Sequence, residues 1–288
     1  MPSPRLPRAA RSRLARFETA TAHPSFLTVP AAYGVRAAGF EAVGDVMGCL
    51  AFQTTTEYVG LCGYRGTGTT PRVTFPSGTG SSATSYLRQV TNAYRTALDR
   101  LRAEAAALRA DGVLGVALEL RRHDELREVV ALGTAVRSTG RVRPDRPFLT
   151  DLPGTDVARL FVGGWTPVDL HVAVQLGLRH LDRQSALDAS WSRTAANREV
   201  AGYTELRQRL TMRARDELRA LAVRARSDGA LLSGLDVEQW HHHCMSYGPG
   251  SDLVGLATAT GTSVARFATA SAPAPRPLSV LPVGRGWR

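Results

Sequence analysis

The stretch YRTALDRLRAEAAALRADG (Tyr94–Gly112) decides the fold, because the chain writes it a second time as TMRARDELRALAVRARSDG (Thr211–Gly229). Laid over one another without a gap, Ala97 meets Ala214, Asp99 meets Asp216 and Leu101 meets Leu218. Arg102, Ala103 and Ala105 then meet Arg219, Ala220 and Ala222, and both segments close on Arg-x-Asp-Gly, at Arg109–Gly112 and Arg226–Gly229. Leu87, Val90, Tyr94, Ala97, Leu101, Ala105 and Leu108 recur at spacings of three and four, which predicts one apolar stripe on a long helix. Leu206, Leu210, Ala214, Leu218, Leu221 and Ala225 repeat the stripe. Each Asp-Gly pair is expected to end its helix, with glycine supplying the left-handed turn.

The flanks repeat in the same order. SFLT at Ser25–Thr28 matches PFLT at Pro147–Thr150, Gly39-Phe40 with Val43 matches Gly164-Trp165 with Val168, and GTAV at Gly133–Val136 matches GTSV at Gly261–Val264. Each copy begins with a short helical stretch (Pro30–Ala38; Gly154–Val162) and an apolar strand (Ala42–Phe52; Pro167–Leu176). After the long helix comes a hairpin: Val113–Leu120 with Glu128–Val136, then Leu231–Met245 with Leu253–Val264 around a turn at Gly248–Ser251. Leu114, Val116, Leu118 and Leu120 alternate, as one buried sheet face requires.

Strand, long helix, strand, strand predicts an α+β fold of two tandem two-layer domains, each a small antiparallel sheet packed on one long helix. The expected divisions are a disordered basic arm (1–24), a first domain (25–140), a linker (141–146), a second domain (147–267) and a disordered Pro/Arg-rich tail (268–288). Gln53–Ala83, rich in Gly, Thr and Ser, reads as a low-complexity loop. Sheets this small leave open edges, which favour pairing with neighbours and hence a homo-oligomer.

Composition removes several chemistries. Hydrophobic residues at 43% against 21% charged exclude wholesale disorder. All 36 basic residues are arginine, so phosphate-loop lysines, Schiff-base lysines and Ser-x-x-Lys nucleophile pairs are excluded. The net charge of +11 favours an acidic partner such as nucleic acid or another polyanion, yet five basic residues never run together and aromatics reach only 7%. The start lacks the apolar core of a secretory leader, and 18 apolar residues never run together, so a cytoplasmic protein with no membrane span is expected. Cys49, Cys62 and Cys244 form no C-x-x-C pair, which removes zinc ribbons and thioredoxin-like motifs. GYRGTG at Gly63–Gly68 lacks the strand–helix setting of a dinucleotide site, and H-E-x-x-H and G-x-S-x-G are missing, so no enzyme is expected.

Three segments resemble the YbjQ-like family, described as heavy-metal-binding domains: VGDVMG at Val43–Gly48, EAAALRADGVLGV at Glu104–Val116 and ALGTAV at Ala131–Val136. The second copy carries weaker forms at Val157–Trp165, Glu199–Leu206 and Ser227–Gly234, so the likeness covers roughly Ser25–Phe267. The resemblance implies a strand–helix–two-strand fold that assembles as a ring, commonly a pentamer; a tandem copy departs from the family's single-domain pattern.

Thiolate and imidazole groups suit a divalent transition metal, and one segment offers them together: His241, His242, His243 and Cys244. On a strand His241 and His243 share one face while His242 and Cys244 share the other, so joint use of His241, His243 and Cys244 as ligands needs a bend or bulge. Cys49 reads as a small core residue, Cys62 as an exposed thiol, and His171 as either a satisfied interior histidine or an interface group. The functional expectation is a non-enzymatic, cytoplasmic, oligomeric YbjQ-like protein that binds heavy metal. The alternatives are an arginine-driven nucleic-acid or polyanion-binding module and a pure assembly scaffold.

Overall fold

The computed structural model describes residues 6–19, 26–53, 73–76, 82–123, 126–141, 143–181, 199–244, 250–267 and 280–282. Helices α1 (Arg8–Thr19) and α2 (Val29–Ala37) precede strands β1 (Phe40–Gln53) and β2 (Val73–Thr74), then the long helix α3 (Ser82–Ala107). Strands β3 (Gly112–His123), β4 (Leu126–Ser138) and β5 (Phe148–Leu149) follow. The second half runs α4 (Gly154–Val162), β6 (Trp165–His180), α5 (Ala201–Arg224), β7 (Gly229–Cys244), β8 (Gly250–Arg266) and β9 (Val280–Pro282). This is the α+β architecture expected, with strand, long helix, strand, strand in each half.

The two halves agree in detail. In each, the first strand pairs antiparallel with the last, which pairs antiparallel with the middle one. Register shifts fall at equivalent places, Ala42/Gly44 and Pro167/Asp169 in the first strands, Leu114/Ala117 and Leu232/Gly234 in the middle ones. The Asp before each glycine ties the helix end to the sheet. Asp111 donates its N–H to the Val136 carbonyl (2.8 Å) and accepts from the Ser138 N–H (2.7 Å). Asp228 does the same with Val264 (2.9 Å) and Arg266 (2.8 Å).

The glycines themselves do not make the left-handed turn. That conformation belongs to Arg109 (φ 54°) and Arg226 (φ 55°), three residues earlier. There the Ala110 N–H reaches back to the Ala105 carbonyl (2.9 Å), and the Ser227 N–H to that of Ala222 (3.3 Å), a six-to-one closure that satisfies the last carbonyls. Gly112 is already strand. It is glycine because the Phe148 ring lies where a Cβ would stand.

The halves do not lie side by side as separate two-layer units. The first sheet has the order β1-β4-β3-β5 and the second β2-β6-β8-β7-β9. Short strands are thus exchanged across the division expected from sequence: β5 adds parallel to β3 at Gly112–Val113, and β2 adds to β6 at Leu178–Arg179. Helix α3 packs between the sheets, sharing one core with Val46, Val129 and Ala131 of the first and Leu170, Val174, Leu176 and Leu256 of the second. Helix α5 covers the other face of the second sheet through Leu206, Leu210, Ala214 and Leu218. The layers are sheet, helix, sheet, helix.

Residues expected to lack order also carry elements. α1 buries Ala10 and Leu14, and β9 pairs antiparallel with β7 at Gly229–Leu231. The GYRGTG segment, Cys62 and the turn at 245–249 lie outside the described residues.

Close approach of β1 to α3 depends on Gly48, the last residue of VGDVMG. A Cβ there would overlap the Ala97 carbonyl oxygen and stand 2.7 Å from the Leu101 nitrogen, both main-chain atoms that cannot swing away. Gly48→Ala is expected to destabilise by about 3 kcal/mol, the upper range for overpacking. Gly115→Ala, left-handed at φ 60° but with open space around it, is expected to lose only about 1 kcal/mol. Urea unfolding of the two variants makes the comparison; equal losses would show that Gly48 is not a packing constraint.

Candidate functional site

The metal-ligand candidates lie near the end of β7, where the chain is extended and pairs with β8: His242 opposite Asp252, His243 opposite Ser251, Cys244 opposite Gly250. His241 is exposed and its Nε2 is hydrogen-bonded to the hydroxyl of Tyr203 on α5, whose ring centroid is 5.8 Å away. Desolvation raises the Tyr203 pKa, so the phenol stays protonated. The register through Cys244 is regular, so alternation gives His241 and His243 one face and Cys244 the other. The side chains of His243 and Cys244 lie outside the described residues. Among the described residues, no group of three His, Cys, Asp or Glu side chains is placed to hold a metal ion.

A neighbouring polar row went unread in the sequence. Asp252 is the cross-strand partner of both His180 on β6 and His242 on β7. It is buried, 3% exposed, and its Oδ1 lies 2.9 Å from His180 Nδ1. The three residues sit 62 and 10 positions apart from one another along the chain order (242 to 180; 252 to 242), and only the β6-β8-β7 strand order places them in one row.

His171 resolves as a satisfied interior histidine. Its Nε2 is 2.9 Å from the Ser263 hydroxyl, which donates in turn to the Asp169 carbonyl (3.1 Å). Burial lowers its pKa and outweighs the opposing pull of Asp169; Arg102, Arg146 and Arg224 push in the same direction as burial. Cys49, expected in the core, is only half-buried on β1, where its carbonyl accepts from Arg100 of α3.

A cluster of charges joins the two halves. Asp169 accepts from Arg102 Nη2 (2.5 Å) and Arg146 Nη2 (3.0 Å), while Arg102 Nε donates to the Pro147 carbonyl (3.0 Å). One guanidinium on α3 therefore holds both the entry to β5 and the start of β6. A second cluster anchors the N-terminal segment: Glu104 accepts from the Met47 N–H (2.8 Å) and pairs with Arg13 of α1, and Asp45 accepts from the Phe26 N–H (3.0 Å) and Thr134 Oγ1 (3.2 Å). Burial pushes both carboxyls above their ordinary range, against the pull of these donors. The cleft of about 550 Å³ beside Asp111 is lined by Arg109, Arg137 and Arg143. Two of its cations are already employed, Arg137 on the Leu108 carbonyl (2.7 Å) and Arg143 on Asp111 (3.0 Å).

Residues 71–139, from β2 through β4, match the family model described as "Putative heavy-metal-binding". The match bears out the YbjQ-like resemblance carried by Glu104–Val116 and Ala131–Val136; Val43–Gly48 and the second half lie outside it. Over 153 residues, 48% of its length, the chain is also 32% identical to a Mycobacterium tuberculosis (strain ATCC 25618 / H37Rv) protein named an encapsulin nanocompartment protein. That match covers 52% of the relative, so the chain spans about half the length of the curated protein it resembles. No solved structure matches. Among the described residues no helix is long and apolar enough to cross a membrane.

The depressed His171 pKa sets a pH dependence. A base whose folded pKa lies below its unfolded value near 6.5 contributes fully above that value and loses the contribution as pH falls through the folded pKa. The stability of the wild type relative to His171→Gln is therefore expected to be constant above about pH 7.5 and to shrink as pH falls below about 6.5. Chemical denaturation from pH 8 to about 5 measures it; a difference that grows on acidification would contradict the assignment.

Proposed function

We propose that this protein is a non-catalytic, self-assembling YbjQ-like protein of the cytoplasm, in which each chain supplies two copies of the assembling unit. The observation that carries this is an apolar surface at the start of the first copy: Phe26, Val29 and Tyr33 are 63%, 85% and 77% exposed. Their nearest counterparts in the second copy support the reading. Phe148 packs edge-on against Phe40 at 6.0 Å, and Gly154 sits against the Ala31 carbonyl and Val35 of α2. Phe148 is seated in a joint in one copy, and its counterpart Phe26 is left exposed in the other. Large apolar side chains grouped on one surface mark interaction sites. The name of the mycobacterial relative, which refers to a nanocompartment, is in keeping with assembly.

Light scattering on the full chain tests the reading. The expected masses are multiples of 30.9 kDa; a strict monomer at all concentrations would remove it.

Metal binding at His241, His243 and Cys244 is a second, separable reading, favoured by the run of imidazoles beside a thiol and by the family description. Titration calorimetry with Zn²⁺ or Cu²⁺ is expected to give tighter binding for the wild type than for a His241→Ala/His243→Ala/Cys244→Ala variant. Equal and weak heats from both would end the claim for this segment.

A further inference from the structure

We propose that the edge of β7 at Gly229–Ala230 receives Phe26–Leu27 of a second copy of this chain, which adds there as a parallel strand in place of β9. The inference rests on the assembly reading and names its joint. In the first half the corresponding edge is filled: β5 pairs parallel with β3, Gly112 opposite Phe148 and Val113 opposite Leu149. The Phe148 ring seats over Gly112, in space that any Cβ would take, and Leu149 is completely buried.

Every part of that joint has a counterpart. Gly229 and Ala230 stand where Gly112 and Val113 stand, directly after the same Asp-closed helix end. Trp165 replaces Phe40 at the start of the first strand, with the Arg266 guanidinium over its ring at 5.9 Å. Phe26-Leu27-Thr28 repeats Phe148-Leu149-Thr150, and Phe26 is exposed where Phe148 is seated. In the filled joint the Phe148 N–H donates to the Asp111 carbonyl (3.1 Å), whereas the Phe26 N–H donates to the Asp45 carboxylate of its own chain (3.0 Å, exposed), so joining exchanges that bond for the Asp228 carbonyl of the second copy.

The receiving edge already accepts a strand. β9 occupies it at the same two positions, with Pro282 opposite Gly229 and Leu281 opposite Ala230, but runs antiparallel. β9 pairs there over only three positions, and Pro282 has no N–H to give the ladder, so the second copy's strand competes with a short occupant. Donor and acceptor surfaces differ, so the joint is head-to-tail and propagates into a closed ring or a filament.

The test uses the full chain carrying Phe26→Cys and Gly229→Cys, oxidised and separated without reductant. Phe148→Cys with Gly112→Cys serves as the internal standard and is expected to close within one chain, since directly opposed residues lie within disulfide reach. Expected are disulfide-linked multimers from the Phe26→Cys/Gly229→Cys chain and none from either single variant, which controls for Cys49, Cys62 and Cys244. Phe26→Asp, at an exposed side chain, is expected to keep its melting temperature and scatter as a single chain. If the wild type is multimeric but the pair gives no interchain link, or links only within one chain, or Phe26→Asp leaves the mass unchanged, the joint lies elsewhere and assembly stands. A wild type that scatters as a monomer overturns both.

Discussion

Helix α3 is buried on both sides, and the rest of the molecule is arranged around that constraint. Val90, Ala97, Leu101 and Ala105 have no exposure, while Tyr94 and Leu98, at 5% and 9%, extend the same helix's buried surface. Each fully buried leucine or valine contributes about 1.5–3 kcal/mol by leaving water, and here one helix withdraws such groups from two sheets at once. The demand for close approach explains Gly48, whose missing Cβ lets β1 lie against the helix backbone. Tyr94 shows the polar side of the same constraint. Its hydroxyl hydrogen-bonds Thr258 of the second sheet, and burial, with Asp236 and Glu238 adding and the Thr258 bond opposing, pushes its pKa up to about 12, so it stays neutral.

Arg102 turns this packing into a defined joint. A guanidinium presents several donors in a fixed plane, and here they are divided between Asp169 and the Pro147 carbonyl. The second sheet is thereby positioned against α3 while β5 is delivered to the edge of the first. A lysine could supply the charge without this geometry, and the chain has none.

The candidate metal segment is constrained by regular pairing. Because β7 runs in register with β8 through Cys244, positions 241 and 243 fall on one face of the strand and positions 242 and 244 on the other. The polar row His180–Asp252–His242 arises from the same strand pairing on the α3-facing side of the sheet. Sequence spacing shows the alternation but not the row, because β6 and β7 are separated by the whole of α5, and strand order is not written in a local pattern.

By itself the sequence determined the repeat, the apolar stripes and the strand–helix–strand–strand order, since each follows from a local period of 3.6 or 2 that burial imposes. It also placed His171 in the strand equivalent to the one holding Val46, leaving open an interior histidine or an interface group. What only the tertiary structure decided was the layering and the exchange of β2 and β5 between sheets, which depend on where whole faces find partners. The left-handed turn moved from glycine to Arg109 and Arg226 for a related reason: the six-to-one closure sets the helix end, and packing of Phe148 against Gly112 sets the glycine. Local patterns specify which face is apolar; they carry no record of what that face will meet.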